Sequence, residues 1–295
     1  MAFNLKTFRT RAITAVLFVL IMGVGLLWNQ WSFFLLFSVI HFGCWLEYQQ
    51  LMARIDPGYA DVTVLHKWGV MIAGWCMLLF LAGESFDILG FKLPAIGLWL
   101  GLISLIVLPV IELLFEDNIR LKNIGISAAG LLYISLPWAL MMHLYRLPLI
   151  HAGQLLVPGL PLLVIFSIWI NDTMAYISGS MLGRTPLSKI SPKKTWEGTI
   201  IGVILSVALV GTLAVKIAGE QWAIAHYHYY IIAAIAAISG SFGDLLESKI
   251  KRLASVKDSG HFMPGHGGFL DRFDSLLVAI PFVWLYVMMA LSLKP

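Results

Sequence analysis

Charged side chains are sparse in this chain, and those whose spacing could do chemistry gather in three stretches after residue 170. The first holds Asn171 and Asp172, with Tyr176, Gly179 and Gly183 following Asp172 at four, seven and eleven residues, one face of a helix. A carboxylate near the middle of an apolar helix costs roughly 2.5–3.5 kcal/mol in a bilayer unless a cavity or a partner receives it. Asp172 needs one or the other. Two readings stand side by side: a polar site, or a packing seam of Gly179 and Gly183 with Asp172 hydrogen-bonded between helices.

The second stretch is Ser191-Pro192-Lys193-Lys194-Thr195-Trp196-Glu197-Gly198. Ser191 reads as an N-cap and Pro192 as the first helical residue, which predicts a helix beginning there with its free amides turned to the loop. Lys193 and Lys194 then fall in a first turn whose dipole disfavours cations, a conflict relieved by an anion among the amides and ammoniums. A phosphate-bearing ligand would serve, and so would anionic lipid headgroups meeting a basic anchor.

The third stretch, from Gly240 to Asp274, is the richest. Asp244, Ser248, Lys251 and Arg252 follow one another at four, seven and eight residues along a helical face, with Asp244 roughly 10 Å below the basic end. Lys257 and Asp258 come next, then a loop with Gly260, Gly265, Gly267 and Gly268 around His266, where backbone can closely approach a ligand. Asp271 and Asp274, with Arg272 between them, open the last helix. Carboxylates from two helices beside a glycine-rich turn suit Mg²⁺ with a nucleoside triphosphate, because the ion takes one or two protein carboxylates and completes its octahedron with phosphate and water. Acids at a helix start also fit plain dipole stabilisation. His261 and His266 have no third His or Cys near them, which argues against zinc.

The elements that carry these residues follow from composition. The 295 residues are 59% hydrophobic and only 12% charged, with a mean hydropathy of +0.86. That balance excludes an ordinary soluble domain and gives no support to nucleic-acid binding. Apolar segments near residues 12 to 28, 31 to 46, 68 to 83, 94 to 115, 124 to 146, 161 to 182, 198 to 218, 230 to 252 and 275 to 293 approach the roughly 20 residues a spanning helix needs. The expectation is an all-α polytopic membrane protein, a bundle of about nine transmembrane helices forming one integral membrane domain. Residues 1–150 anchor it and residues 160–275 form the catalytic region of the same bundle. The first two segments are short and joined only by Asn29 and Gln30, so they form a tight hairpin that need not fully cross. Cys44 and Cys76 lie in apolar runs and are too few for a disulfide framework.

With the N-terminus in the cytoplasm, sixteen of the twenty lysines and arginines fall inside, all but Lys92, Arg146, Lys216 and Lys294. That is the positive-inside bias, and it puts all three polar stretches toward the cytoplasmic side.

These residues resemble a known family, the phosphatidate cytidylyltransferases, also called CDP-diacylglycerol synthases. Ser248, Lys251-Arg252, Lys257-Asp258 and His266-Gly267-Gly268-Phe269-Leu270-Asp271-Arg272-Phe273-Asp274 follow its signature nearly throughout, Met263 being a mild departure. Asn171-Asp172, Ala175-Tyr176 and Ser191 to Gly198 are similar to it as well, so the close likeness covers about residues 170 to 275. The resemblance implies a helical enzyme of the bacterial inner membrane, usually a homodimer. It would use Mg²⁺, one or two cations, and CTP on phosphatidic acid to make CDP-diacylglycerol and pyrophosphate. Asp244 and Asp271 match the family's metal-binding aspartates. Lys193, Lys194, Lys251, Arg252, Lys257 and Arg272 become candidates to cradle phosphates, and Asp258 and Asp274 to orient those cations. Asn171 and Asp172 would support the site, His266 would donate to a phosphate, and Ser191, Ser248, Gly267 and Gly268 would line the substrates.

Two competing readings remain. A CTP-dependent polyprenol or phytol kinase would move the γ-phosphoryl group and leave CDP and a lipid phosphate. A secondary transporter also places acids at mid-depth, but shows paired inverted repeats that are not visible here.

Overall fold

The structure is a computed structural model that describes residues 5–115, 120–147, 159–218, 225–263 and 267–292, with the backbone alone for residues 5–11. Its helices are α1 (Leu5–Leu27), α2 (Gln30–Ile55), the short α3 (Pro57–Ala60), α4 (Val64–Leu81), α5 (Leu93–Phe115), α6 (Leu121–Gly130) and α7 (Leu136–Arg146). They continue with α8 (Gly159–Leu182), α9 (Trp196–Ser206), α10 (Thr212–Ala218), α11 (Tyr227–Leu253) and α12 (Leu270–Ser292). Among the described residues the only sheet is a two-stranded hairpin, β1 (Asp87–Ile88) with β2 (Phe91–Lys92).

Eight helical spans among the described residues are long and apolar enough to cross a membrane, and Ala12–Leu27 is a shorter apolar helix. The chain is an all-α polytopic membrane protein. Two spans are continuous only through π-helical turns: Leu131–Ser135 joins α6 to α7, and Val207–Gly211 joins α9 to α10. Pro137 has no N–H to donate, and just ahead of it the amide of Leu136 bonds to the carbonyl of Leu131, the widened spacing of a π turn.

The second helix differs from its expected extent. Polarity ended it near residue 46, yet α2 runs 26 residues to Ile55, long enough to span on its own. It continues because its polar residues are satisfied: Tyr48 donates to the carbonyl of Ile126 (2.9 Å) and Gln49 to that of Lys67 (3.0 Å). Its start is fixed by a capping box in which Asn29 accepts from the amide of Ser32 and Ser32 accepts from that of Asn29.

The chain forms two compact units, Met1–Met142 with Ile250–Phe273 and His143–Lys249 with Asp274–Pro295. In the first, Phe33, Phe37, Trp45, Tyr59, Leu78 and Trp138 are fully enclosed. Trp45 and His41 both bond to the hydroxyl of Ser135, presented by the π turn. Helix α5 packs on α4 through Gly97, where a Cβ would collide with the backbone of Phe80 and Cys76. One face of α5 lies open, with Leu105 and Leu113 72% and 70% exposed, while Glu112 is buried against His66. Such a surface belongs against hydrocarbon.

In the second unit, α8 and α9 press together along a seam of small residues. A Cβ on Gly198 would overlap the carbonyl of Ala175 and the backbone of Gly179, and one on Gly202 the carbonyl of Asn171. The packing reading of Gly179 and Gly183 therefore describes what these glycines do. Gly198→Ala should destabilise the protein by about 1–3 kcal/mol, since backbone cannot yield as a side chain can. Gly23→Ala, where nothing lies within 4 Å, should be neutral or mildly stabilising. Thermal unfolding of both variants in one detergent checks the contrast.

Candidate active site

The second unit gathers polar residues where α8, α11 and α12 meet. Gly243 on α11 makes this possible, because any side chain there would strike the Asp274–Ser275 backbone. One carboxylate oxygen each from Asp244, Glu247 and Asp274 then lies within 4.8 Å of the others. Glu247 and Asp274 are buried. Three ionised carboxylates at such separations repel by roughly 3 kcal/mol per pair at an effective dielectric of about 20, so the arrangement calls for a cation or a proton. Lys194 supplies one charge through an ion pair with Asp244, whose other oxygen accepts a hydrogen bond from Ser248 (3.3 Å). Beside them, the amide of Asn171 donates to Ser241 (3.2 Å) and to Asp172 (3.3 Å). Asn171 is buried.

Lys194 arrives from a loop, which corrects the expected helix start. Ser191, Pro192 and Lys193 form a turn closed by the amide of Lys194 on the carbonyl of Ser191 (3.1 Å). Helix α9 begins at Trp196, with Thr195 in extended conformation as its N-cap, accepting from Gly198. Proline at the second position of a turn is as favourable as at a helix start, and Thr195 offers the better-placed cap. Lys193 and Lys194 thus precede the helix, and the conflict with its dipole does not arise. Glu197 occupies the first turn and receives the amides of Arg184 and Thr185 at 3.2 Å.

The first unit holds a second polar group, at the start of α12. The carboxylate of Asp271 accepts Lys251 on one oxygen (2.5 Å); the other takes the amides of Ser259 and Gly268 (both 2.8 Å) and the Ser259 hydroxyl (2.9 Å). Behind it stands Glu47 of α2, a residue that sequence reasoning missed. Its carboxylate accepts the Ser259 hydroxyl (2.7 Å) and the amides of Phe269 (2.8 Å) and Leu270 (2.9 Å). Glycine is required around it, because a Cβ on Gly260 or Gly268 would overlap the Glu47 carboxylate. The available signal was a lone acid in an aromatic helix, four residues after a glycine: Gly43 receives the ring of Phe269 on the same face.

The remaining expected residues divide by exposure. Lys193, Arg252, Lys257, Asp258 and Arg272 are exposed, and Ser191 and Ser248 are half-buried. Gly267 has φ +84°, a backbone conformation that favours glycine, and its carbonyl accepts from Met263 (2.9 Å). His266 lies outside the described residues. Asp244 and Asp271, expected to share a metal, fall in different units. The acids gathered with Asp244 are Glu247 and Asp274, while Asp271 is engaged by Lys251.

Compared with known families, residues 9–290 match the model described as the cytidylyltransferase family. The chain belongs to that family. Among its similar relatives in the family is phosphatidate cytidylyltransferase of Rickettsia prowazekii, 36% identical over 171 residues, which are 56% of this chain and 71% of that protein. The enzyme of the same name from Synechocystis sp. is 45% identical over 127 residues, 42% of this chain and 41% of the relative. Phosphatidate cytidylyltransferase 4, chloroplastic, of Arabidopsis thaliana is 42% identical over 123 residues, 42% of this chain and 31% of the relative. The chain thus spans less than half the length of the last two.

In this cytidylyltransferase-family chain the Lys251–Asp271 pair is largely buried, with side-chain exposures of 14% and 8%. Removing one partner leaves an uncompensated buried charge, so Lys251→Met should cost about 3 kcal/mol or more of stability. The double variant Lys251→Met/Asp271→Asn should lose less than the sum of the two single variants, because Asn keeps an acceptor for the amides of Ser259 and Gly268 while no unpaired charge remains. Additive losses in a double-mutant unfolding cycle would show that the two charges do not depend on each other.

Proposed function

We propose that this protein is a phosphatidate cytidylyltransferase: it transfers the cytidylyl group of CTP to phosphatidic acid, leaving CDP-diacylglycerol in the membrane and releasing pyrophosphate. The observation that carries this reading is membership of the cytidylyltransferase family by a helical membrane chain that assembles carboxylates and lysines in its C-terminal half. The names of its relatives supply the substrate class.

In the reaction, an oxygen of the phosphatidate monoester attacks the α-phosphorus of CTP in line. The bond to the bridging oxygen of the β-phosphate breaks, and pyrophosphate departs. The nucleophile is already anionic, so the protein's tasks are positioning and charge neutralisation rather than strong base catalysis. Lys194, aimed by Asp244 in one unit, and Lys251, aimed by Asp271 in the other, each offer an ammonium to phosphate oxygens. The exposed Arg252, Lys257 and Arg272 attract the anionic substrates, with Asp258 as a carboxylate to orient them. Asn171, held by Ser241, donates to Asp172 and supports the site from behind.

A divalent cation fits the donor set. The oxygens of Asp244, Glu247 and Asp274 are the hard ligands that Mg²⁺ accepts. When bound, such an ion neutralises charge on the reacting phosphates. The distribution of lysines and arginines supports a cytoplasmic N-terminus and a site open to cytoplasmic CTP in the bacterial inner membrane. The family resemblance supports a homodimer.

The test is direct. Purified protein given labelled CTP, phosphatidic acid and Mg²⁺ should form CDP-diacylglycerol with equimolar pyrophosphate, and EDTA should stop it. Asp244→Asn and Asp271→Asn should each lower turnover by about 100-fold or more while remaining folded. In a parallel reaction given a polyprenol or phytol in place of phosphatidic acid, formation of CDP and the lipid phosphate would assign the chain to the kinase reaction.

A further inference from the structure

The Ser259 hydroxyl stands between two carboxylates. Its oxygen lies 2.7 Å from Oε2 of Glu47 and 2.9 Å from Oδ2 of Asp271, and it accepts the amide of Asp271 at 3.2 Å. A serine has one proton to donate, so it cannot satisfy both carboxylates fully at once. The two acids are thereby tied to one shared hydrogen bond. Glu47 comes from α2, 212 residues away in sequence from Ser259, and is buried.

Its two oxygens receive three donors, and two of these are the amides of Phe269 and Leu270 at the start of α12. The same helix carries Asp271 one residue further on, and Asp271 holds Lys251. Phe269 offers no side-chain cap, so beside Asp271 of the first turn it is Glu47 of α2 that receives the amides of Phe269 and Leu270 at this helix end. The chain of contacts is continuous, from Glu47 through Ser259 to Asp271 and Lys251.

We propose that Glu47 is a positioning residue for the cytidylyl transfer, an inference that rests on the activity proposed above. By holding Ser259 and the first turn of α12, it fixes one orientation of Asp271 and, through it, of the Lys251 ammonium. Glutamine is a poor substitute, because its amide group would face the N–H and O–H donors that Glu47 accepts. Serine 259 is the link, so losing its hydroxyl should reproduce the effect of losing the Glu47 charge.

The experiment compares wild type, Glu47→Gln, Ser259→Ala and the double variant, purified in detergent and checked for folding by size exclusion and thermal unfolding. Steady-state rates are measured with CTP, phosphatidic acid and Mg²⁺. Positioning predicts that Glu47→Gln lowers kcat by about 10- to 100-fold while both KM values stay within about threefold, since ground-state binding is untouched. Ser259→Ala should also lower kcat, and the double variant should be no worse than Glu47→Gln by more than about twofold, because both act through one chain. Normal kcat in folded Glu47→Gln, or losses that multiply in the double variant, overturns the inference while cytidylyl transfer stands. Should Glu47→Gln fail to fold, Ser259→Ala decides alone: a lowered kcat at unchanged KM supports the chain of contacts, and an unchanged kcat overturns it. A wild type that forms no CDP-diacylglycerol overturns the activity reading and this inference with it.

Discussion

An ionised carboxylate inside an apolar helix bundle has to meet donors or a cation, and the polar part of this protein is organised by that requirement. Asp271 meets it with Lys251, the Ser259 hydroxyl and two backbone amides, and Glu47 with two helix-end amides and the same hydroxyl. The group of Asp244, Glu247 and Asp274 draws Lys194 and the Ser248 hydroxyl to Asp244 and the amide of Ser275 to Asp274. Carboxylates gathered within 4.8 Å of one another attract cations, which is the property a site for phosphate chemistry uses.

Glycine and the ends of helices do the placing. Gly198 and Gly202 let α9 lie against α8, Gly243 lets the Asp274 backbone approach α11, and Gly260 and Gly268 leave room for the Glu47 carboxylate. Each removes a side chain just where a polar group or a backbone must come near. The loop carrying Lys194 depends on a similar economy: a proline turn and a threonine cap bring its ammonium to Asp244 without placing it in a helix. Two π turns keep spans continuous where an ordinary α-helical register would not, and one of them turns Ser135 toward His41 and Trp45.

The spans were legible because apolar length is a local property, read residue by residue against the thickness of a bilayer. Their ends were less so. The expected end of α2 fell at residue 46, just ahead of Glu47, yet the charge of Glu47 is received by residues more than 200 positions away. The start of α9 was misread for a local reason: Ser-Pro fits a turn as well as a cap, and four residues decide between them only in the presence of Thr195 and the partner of Lys194.

Sequence by itself determined the class of molecule, the membrane-spanning pattern, the family through a dense signature between Ser248 and Asp274, and which residue types are available for phosphate and cation chemistry. Tertiary structure decided the company each of them keeps: Glu247 and Asp274 with Asp244, Lys251 with Asp271, and Glu47 behind Ser259. The physical reason is range. Helix periodicity and hydropathy act over a few turns of chain, whereas the pairing of buried charge is settled by whichever distant donors the packed helices bring within about 3 Å.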